Sequence, residues 1–167
     1  MMKKLLVLMV LGLAFIACDY AKESVELNPD IEITWVDPLG VYVVQGDTTS
    51  IAPLNTVSFV NENSLDCYLR EFIYEFCDAG SNTGFYSSEP FPIYAKVEGI
   101  VERPAVDTTK ILNLEIPIGP AVSHMTSSGT HSVKTLLKFV YSDEYFETVD
   151  TATAWYGIYM FDTTNTF

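Results

Sequence analysis

The chain has 167 residues, with nine Lys or Arg against 22 Asp or Glu and a formal net charge of −13. Such a balance excludes nucleic acid as a partner, because that affinity rests on neutralising phosphates with basic side chains. It also provides no electrostatic attraction to anionic lipid headgroups.

In chain order, the first element is a segment to be removed. Lys3 and Lys4 supply a short positive start, and Leu5 to Ala17 are thirteen uncharged, mostly apolar residues. A helix needs about twenty residues to cross a hydrocarbon core of ~30 Å, so this run is too short to span. It matches the apolar region of a secretory signal peptide, ~7–15 residues behind basic residues. Cleavage by the ordinary secretory peptidase wants a small residue at the third-last position of the signal, and Phe15 is bulky. Phe15-Ile16-Ala17-Cys18 instead resembles the lipobox of bacterial lipoproteins, with Phe where Leu is usual. The resemblance implies that the Cys18 thiol is diacylated and becomes the new N-terminus. The chain is then exported and held in the bacterial cell envelope by lipid, in the inner or the outer membrane. Each buried methylene contributes ~0.8 kcal/mol, and two acyl chains anchor stably where one is marginal. The expected organisation is signal peptide 1–17, tether 18–30 and a folded domain 31–167. Loss of the signal takes two lysines, leaving seven bases against 22 acids and a net charge of −15.

After the tether, strand chemistry dominates. Tyr and Phe number ten each, Val, Ile and Thr are frequent, and no long run has a 3.6-residue apolar period. Turn clusters divide the chain into seven expected strands: Ile31–Val44, Thr56–Asn61, Cys67–Cys77, Phe91–Val101, Thr109–Ile116, Val133–Tyr141 and Phe146–Phe161. This predicts an all-β, antiparallel β-sandwich of about seven strands without helix. In strand number and length it resembles immunoglobulin-like or fibronectin-type-III-like domains. Pro38 removes a ladder donor from the first segment, leaving two readings: one strand kinked at an edge, or a hairpin about Asp37–Gly40.

If the first segment is one strand, the connections alternate between two ends. The short ones, Glu62–Asp66, Glu102–Thr108 and Ser142–Tyr145, lie with the tether. The long ones, Gln45–Asn55, Asp78–Pro90 and Pro117–Ser132, lie opposite, where loops on a rigid scaffold suit binding. A hairpin reverses this assignment. Cys67 and Cys77, at the ends of one extended strand, stand about 33 Å apart at ~3.3 Å per residue. A disulfide needs Cα atoms within ~7 Å, so two free thiols are expected.

Chemistry-bearing sets are sparse. His124 and His131 lie in a Ser/Thr/Gly-rich segment without further ligands, and zinc needs three or four. Asp143, Glu144, Glu147 and Asp150 form an acidic turn that lacks the alternation and glycine of calcium loops. No metal or cofactor is expected. There is no G-x-S-x-G elbow and no phosphate loop, so the chain reads as non-catalytic.

In the last strand, Trp155, Tyr159 and Phe161 share one parity and Ala152, Ala154, Tyr156, Ile158 and Met160 the other, which alternation places on opposite faces. The ordinary expectation buries the aromatic set and leaves the alanines outermost. The alternative makes Trp155, Tyr159 and Phe161 an outward row that meets a protein or glycan. Tyr68, Phe72, Tyr74 and Phe76 pose the same question against Leu69 and Ile73. The function expected is a lipid-anchored envelope protein presenting loops or an aromatic face to an envelope protein or glycan. A structural component of an envelope assembly and a secreted hydrolase are the alternatives.

Overall fold

β-Branched and aromatic residues, alternating in and out, form nine strands in a computed structural model that describes residues 29–100, 108–145 and 148–161. The signal segment, Cys18 and most of the tether lie outside the described residues. The strands are β1 (Ile31–Asp37), β2 (Gly40–Val44), β3 (Ile51–Asn61), β4 (Cys67–Asp78) and β5 (Gly84–Ser87), followed by β6 (Phe91–Val97), β7 (Thr109–Pro117), β8 (Ser132–Asp143) and β9 (Val149–Phe161). One helix, α1 (Gly119–Ser128), joins β7 to β8. A three-stranded sheet runs β1-β3-β7, and a six-stranded sheet runs β2-β9-β8-β4-β5 with β6 also on β4.

The expected segment Ile31–Val44 is neither one strand within a sheet nor a hairpin. The chain keeps its direction but changes sheet at Pro38. β1 pairs antiparallel with β3, and beyond the cis Asp37–Pro38 bond β2 pairs parallel with β9. The six-stranded sheet is therefore mixed rather than antiparallel. The expected seven strands become nine because of this division and because β5 and β6 line one edge of β4 in turn. Between those two, Ser88 replaces the missing ladder contact: its Oγ accepts from Tyr74 N at 3.1 Å, and its own N–H donates to Tyr74 O at 2.9 Å.

β4 settles its own parity question with a bulge. Its register slips between Leu69 and Glu71 against both β6 and β8. Cys67 and Leu69 point inward before the slip, and Phe72, Tyr74 and Phe76 after it. An extra residue in one strand leaves pairing intact on either side and exchanges the faces.

The two sheets close on one core. Phe139 of β8 meets Phe59 of β3 edge-on at 4.9 Å and stacks on Phe72 of β4 at 4.9 Å. Each such aromatic pair contributes ~0.5–1.5 kcal/mol beyond area burial. Tyr156 of β9 crosses the core to donate its hydroxyl to Pro53 O at 3.4 Å. Burial pushes the Tyr156 and Tyr74 phenols up to about 12.

The helix corrects the all-strand expectation. Pro120 stands in its first turn, and Gly129 closes it at φ 70, the left-handed position that favours glycine. Ala121, Val122 and Met125 form its buried stripe. The connections 45–50, 79–83 and 118–131 do lie at the end opposite Ile31. They are not the extended loops expected, because β3 begins at Ile51, β5 occupies 84–87 and α1 fills much of the third. Most of Glu102–Thr108, as well as Phe146 and Glu147, lie outside the described residues.

Candidate functional site

β9 places its alanine set inward. Ala152, Tyr156 and Ile158 are buried, whereas Trp155, Tyr159 and Phe161 are 48%, 44% and 59% exposed. The ordinary expectation for this strand is thus overturned. The inward slots must fit beneath the three-stranded sheet, and small Ala152 and Ala154 beside Tyr156 fill them. The large rings are left on the outer face of the six-stranded sheet.

The parallel neighbour extends the row. Tyr42 of β2 pairs with Tyr159 and Val44 with Phe161. The Tyr42 ring lies 5.4 Å from that of Tyr159 and 5.2 Å from that of Phe161, and Tyr42 is 69% exposed. Sequence reading missed Tyr42 because a parallel pairing across more than a hundred residues leaves no local signature. Gly40 stands opposite Gly157. A Cβ on Gly157 would come within 2.5 Å of Tyr159 Oη and 2.6 Å of its ring. The glycine pair is what lets the Tyr159 ring lie flat across β9 and β2.

Beside this ring a shallow cleft of about 440 Å³ opens, lined by Leu39, Asn82, Lys134, Trp155, Gly157 and Tyr159 among others. Asn82 reaches it from the β4–β5 turn with φ 56, a left-handed backbone that asparagine tolerates better than most residues. Its Oδ1 accepts from Lys134 Nζ at 2.9 Å, and Lys134 stands directly across from Gly157 on β8. The same ammonium lies 5.8 Å from the centre of the Trp155 ring, a cation–π distance that contributes ~0.5–1 kcal/mol at exposed sites.

Charge is distributed unevenly over this face. Arg70, Lys96, Lys134 and Lys138 share it, four of the five bases among the described residues, with Glu71 and Glu75 within β4 and Asp78 and Asp143 at the ends of β4 and β8. Lys138 pairs with Glu75 at 2.6 Å and Lys96 with Asp66 at 2.7 Å. Arg70 donates from Nε to Ser142 Oγ at 3.0 Å and lies 5.1 Å over the Tyr68 ring. A second cleft of about 430 Å³ opens there, between Arg70, Glu71, Tyr94 and Val149. Neither cleft is lined by two carboxylates.

The remaining candidates do not converge. His124 stacks on Phe85 at 3.9 Å, joining α1 to β5, and His131 is exposed beyond the helix. Among the described residues no group of three or more His, Cys, Asp or Glu gathers. Cys67 and Cys77 are free and buried. Burial pushes the Cys67 thiol up to about 11, while Asn61 Nδ2 lies 3.1 Å from its sulfur. Burial also raises Cys77. Both thiols are therefore protonated and unreactive near neutrality.

No family model and no curated protein matches the chain. Among solved structures, the crystal structure of a protein from Archaeoglobus fulgidus is 10% identical. It covers 66% of this chain and 94% of that one, with a TM-score of 0.37.

Proposed function

We propose that the protein is a lipid-anchored, non-catalytic module of the bacterial cell envelope, which recognises its partner through the outer face of the six-stranded sheet. The observation that carries this reading is the outward row of Trp155, Tyr159 and Phe161, joined by Tyr42 on the neighbouring strand. Soluble chains seldom leave several large rings contiguous and open to water without a binding role, and aromatic anchors supply much of the energy at interfaces.

The strand order supports an immunoglobulin-like frame. In that reading β1, β3 and β7 correspond to strands A, B and E, and β9, β8 and β4 to G, F and C. The anchor is inferred from Phe15-Ile16-Ala17-Cys18. Lipid at Cys18 tethers the end of the sandwich that holds Ile31. Trp155 is six residues beyond the start of β9 at that end, about 20 Å along the strand. The aromatic row is thereby carried away from the membrane surface.

Two measurements test the proposal. Mass spectrometry of the mature N-terminus is expected to find acylated Cys18, and an unmodified N-terminus there would sink the anchor. A photo-crosslinker at position 155, in living cells, is expected to capture an envelope component that the same probe at position 35 does not. Equal capture from both positions would remove the face from consideration.

A second reading, a component of an envelope assembly that pairs through a strand edge, draws on β2. The other edges are blunted: β1 by a register slip near Thr34, β7 by Asn113 at φ 58 and Pro117, and β5–β6 by its interruption and Pro92. β2, Gly-Val-Tyr-Val-Val, carries no charge, proline or slip, and such an edge invites another strand. Sedimentation of the purified protein is expected to show a complex that Tyr42→Lys dissolves, and a monomer at every concentration would dismiss this reading.

A further inference from the structure

The geometry points to the cleft between Trp155 and Tyr159 as a subsite for an acidic sugar, a pyranose ring bearing one carboxylate. The inference rests on the proposed role of the aromatic face and adds the ligand's chemistry to it.

The floor and walls favour a flat, partly apolar ring. Gly157 contributes backbone only, Leu39 and the Trp155 indole contribute apolar surface, and the Tyr159 ring lies folded over the glycine pair. Ligand sites of this kind combine apolar walls with a few placed polar groups. A pyranose has one face of C–H bonds to set against an indole and a rim of hydroxyls. Asn82 supplies an amide donor and acceptor at that rim.

Charge selects among sugars. The chain carries 22 acids, yet none lines this cleft. Lys138 and Lys96 are matched to carboxylates, whereas Lys134 is hydrogen-bonded to a neutral amide and faces an aromatic ring. It has no ion pair among the described residues. An ammonium held by an amide and an indole keeps its charge available, and a carboxylate on the ring completes it with a charge-assisted hydrogen bond. The acidic remainder of the molecule disfavours polyanions, which restricts the ligand to sparse negative charge, one carboxylate per recognised unit.

The chain has two tryptophans, so Trp35→Phe leaves Trp155 as the sole indole. In that full-length variant, short oligosaccharides containing one glucuronate are expected to shift Trp155 emission saturably. The glucose counterpart, with the carboxylate reduced to an alcohol, is expected to bind at least about tenfold more weakly. Lys134→Gln is expected to erase that preference and Trp155→Ala to abolish binding, measured by calorimetry where no indole remains. Equal affinity for the acidic and neutral sugars overturns the charge assignment, and no emission change with either overturns the sugar site. If sugars fail while the probe at position 155 still captures an envelope protein, the subsite falls and the broader reading stands. If both fail, both fall.

Discussion

The outer faces of the two sheets are built from the same strand chemistry and differ in what they leave open. On the three-stranded sheet, Trp35 is the one exposed ring among the described residues, 62% exposed beside buried Ser58, and Glu32, Asp37 and Glu115 outnumber Lys110. On the six-stranded sheet, the rings of Tyr42, Tyr159 and Phe161 adjoin along two strands with Trp155 across the cleft, the outward positions of β9 from Thr151 to Phe161 are uncharged, and four of the five bases among the described residues are gathered. One sheet leaves Trp35, Ile51 and Leu112 open to water on three different strands. The other gathers exposed rings beside most of the bases. Exposure of one tryptophan therefore means little, and adjacency of rings together with local charge is what marks the six-stranded face as the candidate for recognition.

The harshest way to break the comparison is through the core that both faces share. Phe139→Ala removes the ring between Phe59 and Phe72 and is expected to cost about 3–5 kcal/mol. Trp35 and Trp155 report on opposite faces, and their fluorescence in single-tryptophan variants is expected to lose structure at one denaturant midpoint. Two midpoints would mean that the sheets do not form one cooperative unit. Gly157→Ala comes next. The added methyl meets the Tyr159 ring, so a loss of about 1–3 kcal/mol is expected from overpacking, with a change in Trp155 emission and none in Trp35. Smaller still is truncation of either tryptophan, for which about 1 kcal/mol or less is expected. Under the proposed function the faces are expected to diverge in capture alone: Trp155→Ala is expected to abolish crosslinking to a partner and Trp35→Ala to leave it unchanged.

The least change is expected from pH near neutrality. Cys67, Tyr74 and Tyr156 are held protonated in the fold, with values raised from 9.0 to about 11 and from 10.0 to about 12. Near neutrality, well below these values, folded and unfolded chains bind these protons alike, so stability is flat with respect to them. As pH rises from about 9 toward 12 the unfolded chain loses protons that the folded chain keeps, and stability falls. Chemical denaturation at stepped alkaline pH checks this sign, and a rise in stability over that interval contradicts it.

Much of the frame was legible from residue type. Val, Ile, Tyr and Phe in period-two runs located β4, β8 and β9 to within a few residues, and the spacing of Cys67 and Cys77 along one strand foretold free thiols. Connections fell at the ends that simple alternation assigns. Other features follow rules with no local mark. The parallel pairing of β2 with β9 depends on a partner more than a hundred residues away, and the change of sheet at Pro38 shows only as a proline within a strand-like run. The bulge in β4 made its parity unreadable, since Leu69 and Phe72 lie on one face only after an extra residue intervenes. The helix did announce itself, with Pro120 at its start and Gly129 past its end, but Ser and Thr between them read more readily as loop. The cleft was hidden for another reason. Leu39, Asn82, Lys134 and Trp155 come from four parts of the chain, and only Trp155 lay in a segment whose pattern singled it out.

The division of the first strand between two sheets has a mechanical consequence. A pull on the chain at Ile31 runs along β1, parallel to the strand axis, so its six register pairs with β3 must slip together rather than open one at a time. Load that passes Pro38 reaches β2 and is spread over a second set of bonds, to β9, in the other sheet. A load applied between that end and the aromatic row would strain both layers in shear, the geometry in which a ladder of hydrogen bonds resists longest.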